Sequence, residues 1–256
     1  MGKSEQTAKV AETAAVVKTE KEQTALTLAP AFTVETEAQD MIIPFLKVVQ
    51  AQADEVTPGK DKYNEAVRPG NIYDSTTRTI YENPEIIICG IRKYFGEWKG
   101  DVRGELVGKH KVDSDVVKNA KRIPQTSAKG TPYFDLEANG NRLEETFGIV
   151  CVVKHNGVVL PATFTLAKSA FTVGKTLNTM LAMYQAQGVP KFNFKTNAKT
   201  NDKGSWFVPV FDFAGYETDE HVIALAQTLQ QGVDKIIFTV NAVESQTDVI
   251  ENEDVV

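Results

Sequence analysis

Apolar positions in this chain fall into two regimes, separated near Met41. Before that point residues are mostly Ala, Thr, Lys, Glu and Val, with no aromatic ring until Phe32. Such a segment carries too little apolar bulk to hold a tertiary position, so residues 1–38 are expected to be a disordered arm. From Met41 the run MIIPFLKVVQ opens the dense part of the chain, and Pro44 within it argues against a long helix. Two turn signals follow, Thr57-Pro58-Gly59-Lys60 and Arg68-Pro69-Gly70-Asn71. Short strands are then predicted at Asn71–Asp74 and Thr79–Tyr81, and an apolar strand at Glu85–Arg92. Between Gly96 and Gly130 the pattern is polar and broken. It reads as a long loop with one short helix near Asp115–Lys121.

The clearest element is a hairpin. Phe147–Lys154 and Val158–Leu166 are β-rich runs flanking His155-Asn156-Gly157, and Asn-Gly favours a tight turn. Lys168–Gln187 reads as a helix with Leu177, Met180, Leu181 and Tyr184 on one face, stopped by Gly188 and Pro190. A lysine-bearing segment through Lys191, Lys195, Lys199 and Lys203 leads into a strand at Trp206–Phe213, where Pro209 points to a sheet edge. Thr218 is placed to cap a helix running to about Gln231, and Lys235–Val243 reads as a last strand. Strands and helices do not alternate as in a doubly wound parallel sheet. The order fits a mainly β, α+β domain over residues 39–243: an antiparallel, oligonucleotide-binding-fold-like barrel with inserted helices. Residues 244–256 form an acidic C-terminal tail.

Charge changes the picture. The formal net charge of -6 argues at first against nucleic acid, but it is unevenly distributed. Residues 90–130 hold ten Lys/Arg against five Asp/Glu, while no cation follows Lys235. A basic working section and an acidic end are therefore hidden in the sum. Two cysteines in apolar runs, Cys89 and Cys151, indicate core thiols rather than a disulfide framework. The three histidines show no metal-ligand spacing, so no metal or cofactor is expected. No run is long enough to span a membrane and no secretory signal is evident, so a cytoplasmic location is expected.

Candidate chemistry centres on Arg92-Lys93-Tyr94-Phe95 and Trp98-Lys99, with Arg103, Lys109 and Lys111 beyond. Cations track a phosphate chain and flat rings stack on unpaired bases, the needs of a sequence-tolerant single-strand binder. Lys168 and Lys175 are second-tier contacts. The plainer reading is also open: an edge strand whose rings face the core and whose lysines keep it soluble. In the tail, Asp248, Glu251, Glu253, Asp254 and Val256 are candidate partner contacts, or simply a solubilising end.

Enzyme readings have weaker support. Ser169-Ala-Phe-Thr-Val-Gly174-Lys175-Thr176 lacks only the first glycine of a phosphate-binding loop, but that loss damages the wrapping of phosphate by backbone N–H groups. The paired carboxylates Glu144-Glu145 and Asp113/Asp115 have no histidine at a useful spacing, and no Ser, His and Asp set announces a nucleophile. A nuclease would need carboxylates gathered in space around Mg²⁺, which spacing alone does not reveal.

Three stretches carry a resemblance: Ile43-Pro44-Phe45-Leu46-Lys47-Val48-Val49-Gln50, Val67-Arg68-Pro69-Gly70-Asn71-Ile72-Tyr73 and Arg92-Lys93-Tyr94-Phe95-Gly96-Glu97-Trp98. With Lys175-Thr176-Leu177-Asn178 in the following helix, they resemble a group of bacteriophage proteins over about Met41 to Tyr216. The organisation is similar to that of phage single-stranded DNA-binding proteins. That resemblance implies an oligonucleotide-binding barrel, single-stranded DNA as ligand, and a tail touching phage replication or recombination proteins in the host cytoplasm. Val255-Val256 stands where those tails usually end in an aromatic residue. The competing expectation is a non-catalytic phage interaction or virion protein.

Overall fold

Two long antiparallel strands organise the domain because both of their faces are buried. The computed structural model describes residues 43–99, 105–126, 132–202 and 204–239. The expected arm (1–38) and acidic tail (244–256) lie outside the described residues, as does Arg103. In chain order the strands are β1 (Leu46–Val48), β2 (Ile72–Asp74), β3 (Ile80–Tyr81), β4 (Glu85–Trp98), β5 (Leu106–Lys111), β6 (Lys121–Thr126), β7 (Pro132–Ala138), β8 (Asn141–His155), β9 (Val158–Ala167), β10 (Pro190–Asn201) and β11 (Gly204–Tyr216). The helices are α1 (Asp115–Lys118), α2 (Phe171–Tyr184), α3 (Glu220–Gln231) and α4 (Val233–Thr239).

β1, β2 and β3 form a small meander, and the other eight strands form one antiparallel sheet. Its order is β11-β10-β4-β8-β7-β6, with β5 also beside β4 and β9 also beside β8. Successive side chains of a strand point to opposite faces. Ile86 of β4 and Ile149, Cys151 and Val153 of β8 accordingly enter one apolar cluster, while Ile87, Cys89, Val150 and Val152 enter another. Burial on both faces produces the near-continuous apolar runs seen in the sequence.

The first cluster is the inner core. Phe164 of β9 lies 5.3 Å from Phe194 of β10 and 5.7 Å from Phe211 of β11, ring centre to ring centre. The sheet curls enough to bring these strands together. Leu177 of α2, fully buried, joins the same cluster. The second cluster lies under α3 and α4, which place Val222, Ala226, Val233 and Ile237 on β4 and β8.

Residues 44–50 tie two free edges together. Phe45 makes a parallel bridge to Thr163 of β9, whose N–H donates to Pro44 O at 2.8 Å. The Gln50 side chain donates to Phe207 O and accepts from Phe207 N, both at 2.9 Å, on β11. Among the described residues the strands make no closed barrel; the mainly antiparallel α+β class is what is seen.

The hairpin is β8–β9, with Asn156 (φ 50°) and Gly157 (φ 77°) both left-handed as a tight primed turn requires. Pro209 does sit in an edge strand. Four local expectations change. The 96–130 region is not one loop: β4 continues to Trp98, and β5, α1 and β6 are ordered pieces of it. The lysine-bearing segment after Pro190 is β10, its alternating Phe192 and Phe194 pointing into the core. Asp219, not Thr218, caps α3, its Oδ1 accepting from His221 N at 2.9 Å. Lys235 lies in a helix rather than a strand, because Val233 and Ile237, one turn apart, both pack on β4 and β8.

Candidate functional site

The α4 correction decides the fate of the basic-aromatic strand. Tyr94 is 2 % exposed beneath α4, its ring edge-on to Phe238 at 6.1 Å, and Phe95 is 9 % exposed. Both rings are nearly buried, and Tyr94 is also among the residues lining the cavity described below. The cations beside them face the protein's own carboxylates. Arg92 pairs with Asp234 at 2.5 Å, Lys93 with Glu145, and Lys99 with Glu105 at 2.6 Å. Lys111 stands 3.8 Å from Asp234 and over the Phe238 ring, while Lys109 donates to Ile237 O at 3.0 Å. Lys175 lies over Phe171 at 5.0 Å. Exposed pairs of this kind are each worth about 0–1 kcal/mol, so a phosphate can displace the carboxylate, yet they neutralise the local field.

Trp98 and Lys168 are different. They meet at a cavity of about 180 Å³ formed where β1, β9 and β11 approach the Trp98 end of β4 and the Glu144 end of β8. Phe45, Leu46, Phe164 and Phe194 supply apolar wall, and Trp98 and Trp206 supply two indoles. Lys47, Gln50, Glu144, Thr146, Thr165, Lys168 and Ser169 are polar members, with Lys47 paired to Glu55 at 2.8 Å. Lys168 holds a left-handed backbone (φ 50°), uncommon for a lysine. Trp206 had no signal in the sequence as a site residue and Glu144 only that of a paired carboxylate, because nothing in their spacing predicts that they reach Trp98.

Glu144 is unusual. Its side chain is 12 % exposed, Oε2 lies 3.6 Å from Arg142, and Oε1 has no hydrogen-bond partner among the described residues. Burial pushes its carboxyl above the ordinary value, with the charges of Lys168 and Arg142 pulling partly back. A raised acid stabilises the fold below its unfolded pKa and loses that contribution as pH rises through the folded value. Glu144→Gln is therefore expected to be more stable than wild type at pH 7, with the gain shrinking at pH 4. Thermal melting at the two pH values checks this, and a destabilised variant at pH 7 defeats it.

A second buried carboxylate behaves oppositely. Burial would raise Glu97, but hydrogen bonds from Asn141 (2.7 Å) and with His110 (2.6 Å) outweigh it and hold it below its ordinary value. This cluster locks β4, β5 and the start of β8 together.

The phosphate-loop reading of Ser169–Thr176 does not survive. Lys168–Ala170 is a single 3₁₀ turn and Phe171 begins α2, so no open loop exists to wrap phosphate. Gly174 is there for packing: a Cβ at that position would stand 2.4 Å from the Phe147 ring. Burial pushes the Cys89 thiol up to about 12, a poor nucleophile, and Cys151 is also raised. Among the described residues no three His, Cys, Asp or Glu side chains gather to hold a metal ion, and no helix is long and apolar enough to cross a membrane.

A family model described as Pam3 phage gp34-like protein matches residues 16–236. Comparison with curated proteins and with solved structures gave no match.

Proposed function

The chain belongs to the Pam3 phage gp34-like protein family, and from that premise we propose that it is a sequence-tolerant single-stranded DNA-binding protein of phage replication or recombination. The carrying observation is the ring-walled cavity with Trp98, Trp206 and Lys168 on a curled antiparallel sheet. Aromatic faces beside cations suit unpaired bases attached to phosphates, whatever the base. The curl, with residues 44–50 bridging β9 and β11, supports relation to the oligonucleotide-binding barrel, itself a partly open design. In this reading the host cytoplasm is the place of action. The acidic tail, through Asp248, Glu251, Glu253, Asp254 and Val256, contacts replication or recombination partners.

Titration of tryptophan fluorescence with oligo-dT and with duplex DNA tests the reading. Single strands are expected to quench Trp98 or Trp206 and duplex to do so weakly. Log affinity should fall with log salt by about 0.7 for each phosphate neutralised. Absence of single-strand binding at low salt overturns it.

One observation favours a second reading. Arg92, Lys93 and Lys99 are already paired with Asp234, Glu145 and Glu105. A surface that neutralises itself also suits a non-catalytic phage interaction or virion protein, which would bind neither form of DNA.

A further inference from the structure

We propose that Arg92 and Lys111 form an anion seat now filled by the protein's own Asp234, and that a phosphodiester of the bound strand displaces this carboxylate. The proposal rests on the single-strand reading above. Two cations from neighbouring strands converge on one carboxylate. Arg92 of β4 donates from Nε to Asp234 Oδ1 at 2.5 Å, and Lys111 of β5 brings Nζ to 3.8 Å from Oδ2. Each carboxylate oxygen thus faces its own cation, which is what the two non-bridging oxygens of a phosphodiester require.

Neither cation depends on Asp234 for its position. Arg92 Nη1 also donates to Ile91 O at 3.0 Å, and the Lys111 ammonium lies over the Phe238 ring, 5.5 Å from its centre. The seat therefore keeps its shape when the carboxylate leaves. Arg92 is 48 % exposed, Lys111 60 % and Asp234 54 %, so a phosphate reaches all three without unfolding α4. A pair this exposed is weak, whereas a phosphate contact also gains from the counterions it releases. Self-neutralisation at this point is then a competitor for the strand rather than a sign that no strand binds. Lys93, the next residue of β4, supplies an internal comparison. It turns to the opposite face, pairs with Glu145 and lies near the Phe171 ring. Removing Glu145 changes the net charge as removing Asp234 does, but frees one cation instead of two.

The test uses the full-length chain, its Asp234→Asn, Arg92→Gln and Glu145→Gln variants, and the Arg92→Gln/Asp234→Asn double variant, each checked for folding by thermal melting. The probes are labelled oligo-dT and linear polyphosphate. Asp234→Asn is expected to tighten oligo-dT binding about fivefold at low salt, and Glu145→Gln by less than about twofold. In the Arg92→Gln background the Asp234→Asn gain should largely vanish, and Arg92→Gln alone should lower the salt slope by about 0.7. Should Arg92→Gln fail to fold, Lys111→Gln takes its place. Equal gains from Asp234→Asn and Glu145→Gln overturn the seat while leaving single-strand binding in place, as does a gain that survives Arg92→Gln. Polyphosphate binding that follows the same pattern, without oligo-dT binding, keeps the seat and removes the single-strand reading. Binding of neither probe removes both.

Discussion

Phe194→Ala is expected to lower the unfolding free energy by about 3–5 kcal/mol. Phe194 is 1 % exposed and touches two other rings, Phe164 at 5.3 Å and Phe211 at 4.9 Å. Those three residues come from β9, β10 and β11, so the deleted ring is what the curl of the sheet closes upon. Phe194 also lines the cavity beside Lys168, so the lost volume adds to an existing void rather than collapsing. Urea denaturation checks the effect, with a lower midpoint and an unchanged slope showing that stability rather than compactness has changed. A loss under about 1 kcal/mol would mean that the neighbours refill the space and that the ring cluster does not hold the curl.

The hairpin of that core was readable in the sequence for a physical reason. β8 and β9 combine long apolar runs with an Asn-Gly turn, and both signals are local. α2 was equally readable, since Leu177, Met180 and Leu181 repeat at helical spacing and do face the core. α4 was not. Ile236-Ile237-Phe238 is a short apolar, partly β-branched run that periodicity cannot assign, and only contact with β4 and β8 makes it a helix. In β10 the signal was present but masked: Phe192 and Phe194 alternate with Lys191, Asn193 and Lys195, and the lysines drew attention as charge.

Site residues divide the same way. Trp98 and Lys168 stand out by residue type, and the cavity contains both. Tyr94 stands out equally, yet whether a strand's ring meets solvent depends on what covers its face of the sheet, here α4. Trp206 carries no local mark, and Glu144 only that of one carboxylate in an adjacent pair. Their meeting follows from the curl that brings β11 and the end of β8 to one cavity, which no window of sequence contains.

Glu217 sets the other large expectation, an acid-sensitive fold. It lies between β11 and α3, 7 % exposed. Burial alone would raise its carboxyl, but Lys154 at 2.6 Å and the backbone N–H groups of Asp219 and Thr218 outweigh that and hold it at about 2, against 4.5 ordinarily. A tenfold change in proton affinity is worth about 1.4 kcal/mol, so the carboxylate contributes roughly 3 kcal/mol at neutral pH. The sign follows from a depressed folded value. The contribution is complete above the unfolded pKa, falls as pH drops through the 4s and 3s, and is gone below about 2. Glu217→Gln should therefore cost about 2–3 kcal/mol at pH 7, since Lys154 loses its partner and two backbone donors lose a charged acceptor. At pH 3 the variant and wild type should differ far less. Urea melts of both proteins at the two pH values measure this directly. A difference that stays constant between pH 7 and pH 3 would show that the Gln side chain disturbs packing at the β11–α3 junction and that the carboxylate's charge is not what anchors α3 to β8.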